Sequence, residues 1–155
     1  MRHLPIPVRP FDTVDVDFVR PLPTTTAGNK YVLVAVDRFT GYPVAVPTRA
    51  STALAAANAL YDHVICEFGM PQCVHSDRGT HFKNQLWGRL CNRLGITQTY
   101  TTSYHPRGNG KVEHFNGFLT KALATLTKSR HQDDWDRWIP PVLFAYRTSV
   151  HPRLR

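Results

Sequence analysis

The sequence predicts an α/β domain built on a five-stranded mixed sheet flanked by helices. Three observations carry that expectation. Tyr31 to Val36 is a near-continuous β-branched run of the kind found in a strand buried on both faces. Strand-like segments come three in succession and only then alternate with helical ones. Apolar residues also recur at three- and four-residue steps over long stretches.

Val14, Val16 and Phe18 alternate with polar residues and mark a first strand, and Thr40-Gly41 turns the second strand into a third, Pro43 to Val46. These three form an antiparallel meander. Ser51 or Thr52 caps a helix whose Leu54, Ala57, Tyr61, Val64 and Phe68 share a stripe until Gly69 and Pro71 stop it. A crossover of that length permits a parallel strand next, Gln72 to Ser76. A second helix carries Leu86, Leu90 and Leu94 before Gly95 ends it, and Ile96 to Tyr100 is the last strand.

Thr101 to Gly110 holds Pro106, Gly108 and Gly110 with no apolar period, so it reads as a loop, expected to be mobile without a ligand. In the next helix Val112, Phe115, Leu119, Ala122 and Leu126 share one face, and Glu113, Asn116, Gly117 and Thr120 lie on an adjacent one. Within Asp133 to Arg147, Pro140-Pro141 marks a break. The expected organisation is an extended lead-in over 1–10, a core over 11–130 and a helical extension over 131–155, with the chain reading as truncated.

With 155 residues the chain has one domain's length and buries roughly two thirds of its unfolded surface. A net charge of +8 makes nucleic acid the obvious polyanionic partner, although charge of this size also serves solubility. Cys66, Cys73 and Cys91 are odd in number, lack a C-x-x-C pair and sit among apolar residues, so they read as buried thiols in a reducing compartment. No run approaches the length of a membrane span and no signal sequence opens the chain, which predicts a soluble, intracellular protein.

Three acids stand where the chain changes element or runs along a strand. Asp77 ends the Cys73-Val74 run before Gly79, Glu113 opens the long helix, and Asp17 lies in the first strand. Asp77 and Glu113 enclose 35 residues, 78 to 112. Singly, they read as a turn acid, a first-turn acid favoured by the helix dipole and an exposed strand residue. Together, on rigid supports, three carboxylates make a poor acid/base set but a good site for hard cations. His75, on a buried strand, reads as a satisfied core histidine, and Trp135 and Trp138 as packing for the tail.

In these segments the sequence resembles the catalytic core of retroviral and gypsy-type retrotransposon integrases. The stretches that carry the resemblance are Asp17-Phe18-Val19-Arg20-Pro21-Leu22-Pro23, Tyr31 to Gly41, His75-Ser76-Asp77-Arg78-Gly79-Thr80-His81-Phe82, and Tyr104-His105-Pro106 followed by Gly110-Lys111-Val112-Glu113-His114-Phe115-Asn116. The resemblance runs from about Phe11 to His151. It implies a ribonuclease H-like fold. It places the catalytic, metal-holding acids on Asp17, Asp77 and Glu113 and a family Asn on Asn116, with Asp15 a neighbour and not a ligand.

It further implies an enzyme, a polynucleotidyl transferase that trims and joins DNA ends with Mg²⁺ or Mn²⁺, two ions when DNA is bound. The partners implied are DNA and further copies of the chain, as a homodimer or larger assembly, and a nuclear location in a eukaryotic host. Tyr104, His105, Arg107, Asn109 and Lys111 form a basic and aromatic stretch suited to phosphate contact and stacking, with Asn116 beside them. A surface loop with no ligand is the plainer reading of the same residues. The family's amino-terminal zinc module and carboxy-terminal module are not found in this stretch. Arg20 and His114 depart from the usual Gly and Arg, so a domesticated DNA-binding module, or a nuclease on the same fold, stands as the alternative.

Overall fold

The computed structural model describes residues 6–101, 110–128 and 132–149. Its strands are β1 (Thr13–Val19), β2 (Tyr31–Asp37), β3 (Pro43–Thr48), β4 (Cys73–Ser76) and β5 (Thr97–Tyr100). They form one sheet in the order β3-β2-β1-β4-β5. The meander β1 to β3 is antiparallel, whereas β1 with β4 and β4 with β5 pair in parallel. The mixed sheet predicted from sequence is therefore present, with β3 two residues longer than expected.

β2 is central to both cores. Leu33 and Ala35 face one core with Val14, Val16, Val74, Phe82, Trp87 and Cys91, while Val32, Val34 and Val36 face the other with Val112, Phe115, Leu119 and Trp135. Helix α1 (Ala53–Leu60) is capped by Thr52, whose side chain accepts from the Ala55 N–H at 3.2 Å. It continues through a π-helical turn (Tyr61–Ile65) into α2 (Cys66–Phe68), closed by Gly69 at φ 96°. Helix α3 (Gln85–Arg93) starts at Asn84, which accepts from the Trp87 N–H at 2.9 Å.

Two helical faces differ from expectation. On α1 the buried residues are Ala53, Ala56, Ala59 and Leu60, and Leu54 and Tyr61 are 58% and 55% exposed. On α3 the buried pair is Trp87 and Cys91, leaving Leu86 outside. Leu54, Ala57 and Tyr61 of the predicted first stripe and Leu86, Leu90 and Leu94 of the second thus line an outward apolar groove of about 200 Å³, whereas Val64 is buried in the core as expected. Cys66 is likewise exposed, unlike the buried Cys73 and Cys91.

On the other face of the sheet lies α4 (Gly110–Thr127), buried through Val112, Phe115, Leu119 and Leu123. A 3₁₀ helix (Gln132–Trp138) runs directly into α5 (Ile139–Thr148). The break comes just before the two prolines, which sit in the first turn of α5, where missing N–H groups forfeit no helical bond. Among the described residues no helix is long and apolar enough to cross a membrane.

Candidate active site

The alternation of β1 decides what reaches the site. Val14 and Val16 enter the α1–α3 core, so Asp15 and Asp17 point to the α4 side. Asp15 pairs with His75 across the parallel β1–β4 ladder. Two residues further on each chain, Asp17 and Asp77 therefore leave the pair at the same end. Glu113 arrives from the first turn of α4. Asn116, one turn later, donates through Nδ2 to Asp17 Oδ2 at 3.0 Å and ties α4 to β1.

Electrostatics show that the three acids share one locality. Burial pushes the Asp17 carboxyl up to about 6, and the nearby Asp77 and Glu113 charges add to that rise against hydrogen bonds from the Phe18 backbone and Asn116. Yet among the described residues no three His, Cys, Asp or Glu side chains are gathered tightly enough to hold a metal ion. The acids interact through space without forming a closed cluster.

The donor set still fits a hard divalent cation. All three side chains offer carboxylate oxygens, and Asn116 Oδ1 is buried with no hydrogen-bond partner. Asp77 Oδ1 accepts from the Gly79 N–H at 2.9 Å. A Cβ on Gly79 would stand 2.9 Å from that same oxygen and 3.1 Å from the His81 ring, so the turn needs a residue without a side chain. Sequence spacing did not single out Gly79.

Under the acids lies a buried polar layer. His75 bonds Thr99 Oγ1 through Nδ1 at 2.8 Å and Thr101 Oγ1 through Nε2 at 3.3 Å. Burial, then the Arg38 charge, lowers its pKa to about 4, so it is neutral, as a core histidine should be. Asp15 is buried against Arg38, whose Nε donates to Asp15 Oδ1 at 3.0 Å, with Nη2 on the same oxygen. Burial raises the Asp15 carboxyl to about 6, although Arg38 and Lys111 pull it down. Lys111 turns its ammonium onto the backbone carbonyls of Arg38 and Phe39. Asn109, Arg107, His105 and Tyr104 lie outside the described residues.

A three-stranded antiparallel meander continued by two parallel strands, with helices on both faces, defines the ribonuclease H-like class. Residues 7–106 match the Integrase core domain family, and the chain belongs to that family. It is 34% identical over 146 residues to the Pro-Pol polyprotein of simian foamy virus type 3 (strain LK3), covering 94% of this chain and 12% of that protein. It is 33% identical over 144 residues to the Gag-Pol polyprotein of feline leukemia virus, covering 93% of this chain and 8% of that protein. The chain thus spans only a small part of these relatives.

Solved structures agree on the fold. The simian T-cell lymphotropic virus intasome in complex with PP2A regulatory subunit B56 gamma superposes with a TM-score of 0.79 at 22% identity, over 97% of this chain and 54% of that one. The BIV integrase catalytic core domain gives 0.71 at 23% identity, over 91% and 86%. The dimeric form of the HTLV-2 integrase catalytic core domain, in complex with magnesium, gives 0.72 at 20% identity, over 94% and 92%.

Proposed function

We propose that this chain is an integrase catalytic core that trims and joins DNA ends by direct transesterification, with Asp17, Asp77 and Glu113 as its catalytic acids. The observation that carries the reading is the placement of Asp17 on β1, Asp77 just past β4 and Glu113 in the first turn of α4 in a chain of the Integrase core domain family. The raised Asp17 carboxyl, lifted by burial and then by the Asp77 and Glu113 charges, supports it. Three carboxylates from β1, the end of β4 and α4 repel one another unless cations lie between them. Mg²⁺ or Mn²⁺, as a pair when DNA is bound, would be held by these three acids and would supply activation of the attacking oxygen and charge neutralisation at the leaving one.

The residues do the rest by placement. Asn116 holds Asp17 in position through Nδ2. The Gly79 N–H fixes one oxygen of Asp77 and leaves the other for a ligand. Water, or a DNA 3′-hydroxyl, attacks the phosphodiester in line, the new P–O bond forms as the old one breaks, and the departing 3′-oxygen takes a proton. No bond to the protein is made. Tyr104, His105, Arg107 and Asn109 are proposed to contact DNA, and the net charge of +8 favours that partner. We propose a homodimer or larger assembly acting in the nucleus.

The test is a disintegration assay on a branched DNA mimic of the joined product. Parent protein with Mg²⁺ or Mn²⁺ should release one strand and reseal the other, and Glu113→Gln should lose both steps while keeping its fold. Release without resealing would indicate a nuclease. Equal inactivity of both proteins, with fold and metal binding intact, would favour a non-catalytic DNA-binding module.

A further inference from the structure

Lys111 lies two residues before Glu113, in the first turn of α4, and its stretch reads in sequence as a phosphate-binding loop. In the structure Nζ donates to the carbonyl oxygens of Arg38 and, at 3.3 Å, of Phe39. Both carbonyls belong to the turn between β2 and β3. That turn is unusually well held. Asp37, fully buried, accepts through Oδ1 from the N–H groups of Phe11 at 2.9 Å and Phe39 at 3.2 Å, and through Oδ2 from the Thr40 N–H at 3.0 Å and hydroxyl at 2.6 Å. Its own carbonyl accepts from Gly41 at 2.7 Å, and the Arg38 N–H donates to Thr13 O at 2.9 Å.

The same turn is fastened from beneath. The Arg38 guanidinium is paired with buried Asp15 on β1, two residues before Asp17 on the same face. A continuous path of contacts thus runs from the strand bearing Asp17, through Asp15, Arg38 and the turn, to Lys111 and the helix bearing Glu113. An ammonium with carbonyl dipoles aimed at it is a strong, charge-assisted anchor. A lysine with its donors turned inward in this way is poorly placed to read a phosphate.

We propose that Lys111 is a positioning residue: by clamping the first turn of α4 to the β2–β3 turn it sets where Glu113 stands relative to Asp17. A small displacement of a catalytic group costs rate and leaves substrate affinity little changed. A phosphate contact does the reverse, and losing one weakens DNA binding and lowers its salt slope by about 1. The inference rests on Glu113 being one of the three acids.

Disintegration kinetics and salt-dependent DNA binding should therefore be measured on the full chain and on Lys111→Met, Lys111→Arg and Glu113→Gln. Lys111→Met should lower kcat by about 10- to 100-fold with KM and salt slope unchanged. Lys111→Arg, which keeps a charged donor for the two carbonyls, should recover most of that loss. A raised KM with a reduced salt slope and normal kcat, or Met kinetics equal to the parent's, would overturn the proposal. Should Lys111→Met fail to fold, the Arg variant carries the reading, because a changed KM with normal kcat would overturn it equally. An active Glu113→Gln would sink the acid assignment itself, whereas an inactive one beside an unaltered Lys111→Met would sink only the clamp.

Discussion

At the scale of single residues, Gly79 is the sharpest case of a site built by what is missing. Its N–H anchors one Asp77 oxygen, and any Cβ there would press on that oxygen from 2.9 Å. Its backbone is not in the left-handed region, so Ala is conformationally permitted, and two side chains must yield, the Asp77 carboxylate most and the His81 ring by a few tenths of an ångström. Gly79→Ala should therefore leave thermal stability close to the parent's and reduce disintegration kcat by roughly 10²-fold, the usual cost of misplacing a reacting group by about an ångström. Parent-like kcat would show that Asp77 can move without consequence. The sequence put Asp17 on an alternating strand, Asp77 after a strand and Glu113 at a helix start, and the structure has them on β1, just past β4 and in the first turn of α4. The Asp15–Arg38–Lys111 path was not legible from sequence, because its members lie far apart in the chain and meet only through the folded sheet.

Among the elements, the helices show where periodicity stops deciding. On α1 both Ala53-Ala56-Ala59-Leu60 and Leu54-Ala57-Tyr61 are apolar stripes, and the bulkier one was expected to face the core. The alanines win because small side chains let the helix lie close on the sheet, and the π turn at Tyr61–Ile65 then shifts the phase of the residues after it. On α3 the bulkiest side chain decides instead, with Trp87 and Cys91 filling the core and Leu86 left outside. Strand identity, by contrast, was readable, since β2 must be apolar on both sides. The β1–β2 loop depends on tertiary contacts instead. Asp136 Oδ2 accepts from buried Thr25 Oγ1 and from Asn29 Nδ2, each at 2.9 Å, and Trp135 Nε1 donates to Pro23 O at 2.6 Å. Asp136→Ala would leave Thr25 and Asn29 without that acceptor, so denaturant unfolding should show a loss of about 1–3 kcal/mol. No change in the midpoint would mean that water replaces the carboxylate at no cost.

For the whole molecule, the acidic site makes stability depend on pH in a sense opposite to that of most carboxylates. Burial and the neighbouring charges raise Asp17 from 3.8 to about 6, and burial raises Asp15 likewise. Between about pH 4 and 6 the folded state then binds more of these protons than the unfolded one, so their contribution to stability falls as pH rises and levels off above about 6. His75 works the other way, because its folded pKa of about 4 lies below its usual 6.5 and stability from it rises over that range. Comparing the parent with Asp17→Asn cancels the shared part. The metal-free parent should lose stability relative to the Asn variant as pH rises from about 4 to 6. On the proposed reading the cations favour the folded, deprotonated site, so millimolar Mg²⁺ should stabilise the parent at about pH 7, do little at about pH 4, and leave Asp17→Asn nearly unaffected. Thermal unfolding with and without Mg²⁺ at the two pH values checks both parts. A parent-minus-variant difference that stays flat across that acid range would show that the Asp17 carboxylate is not destabilised by its surroundings. Equal Mg²⁺ effects on both proteins would place the cation elsewhere than at Asp17.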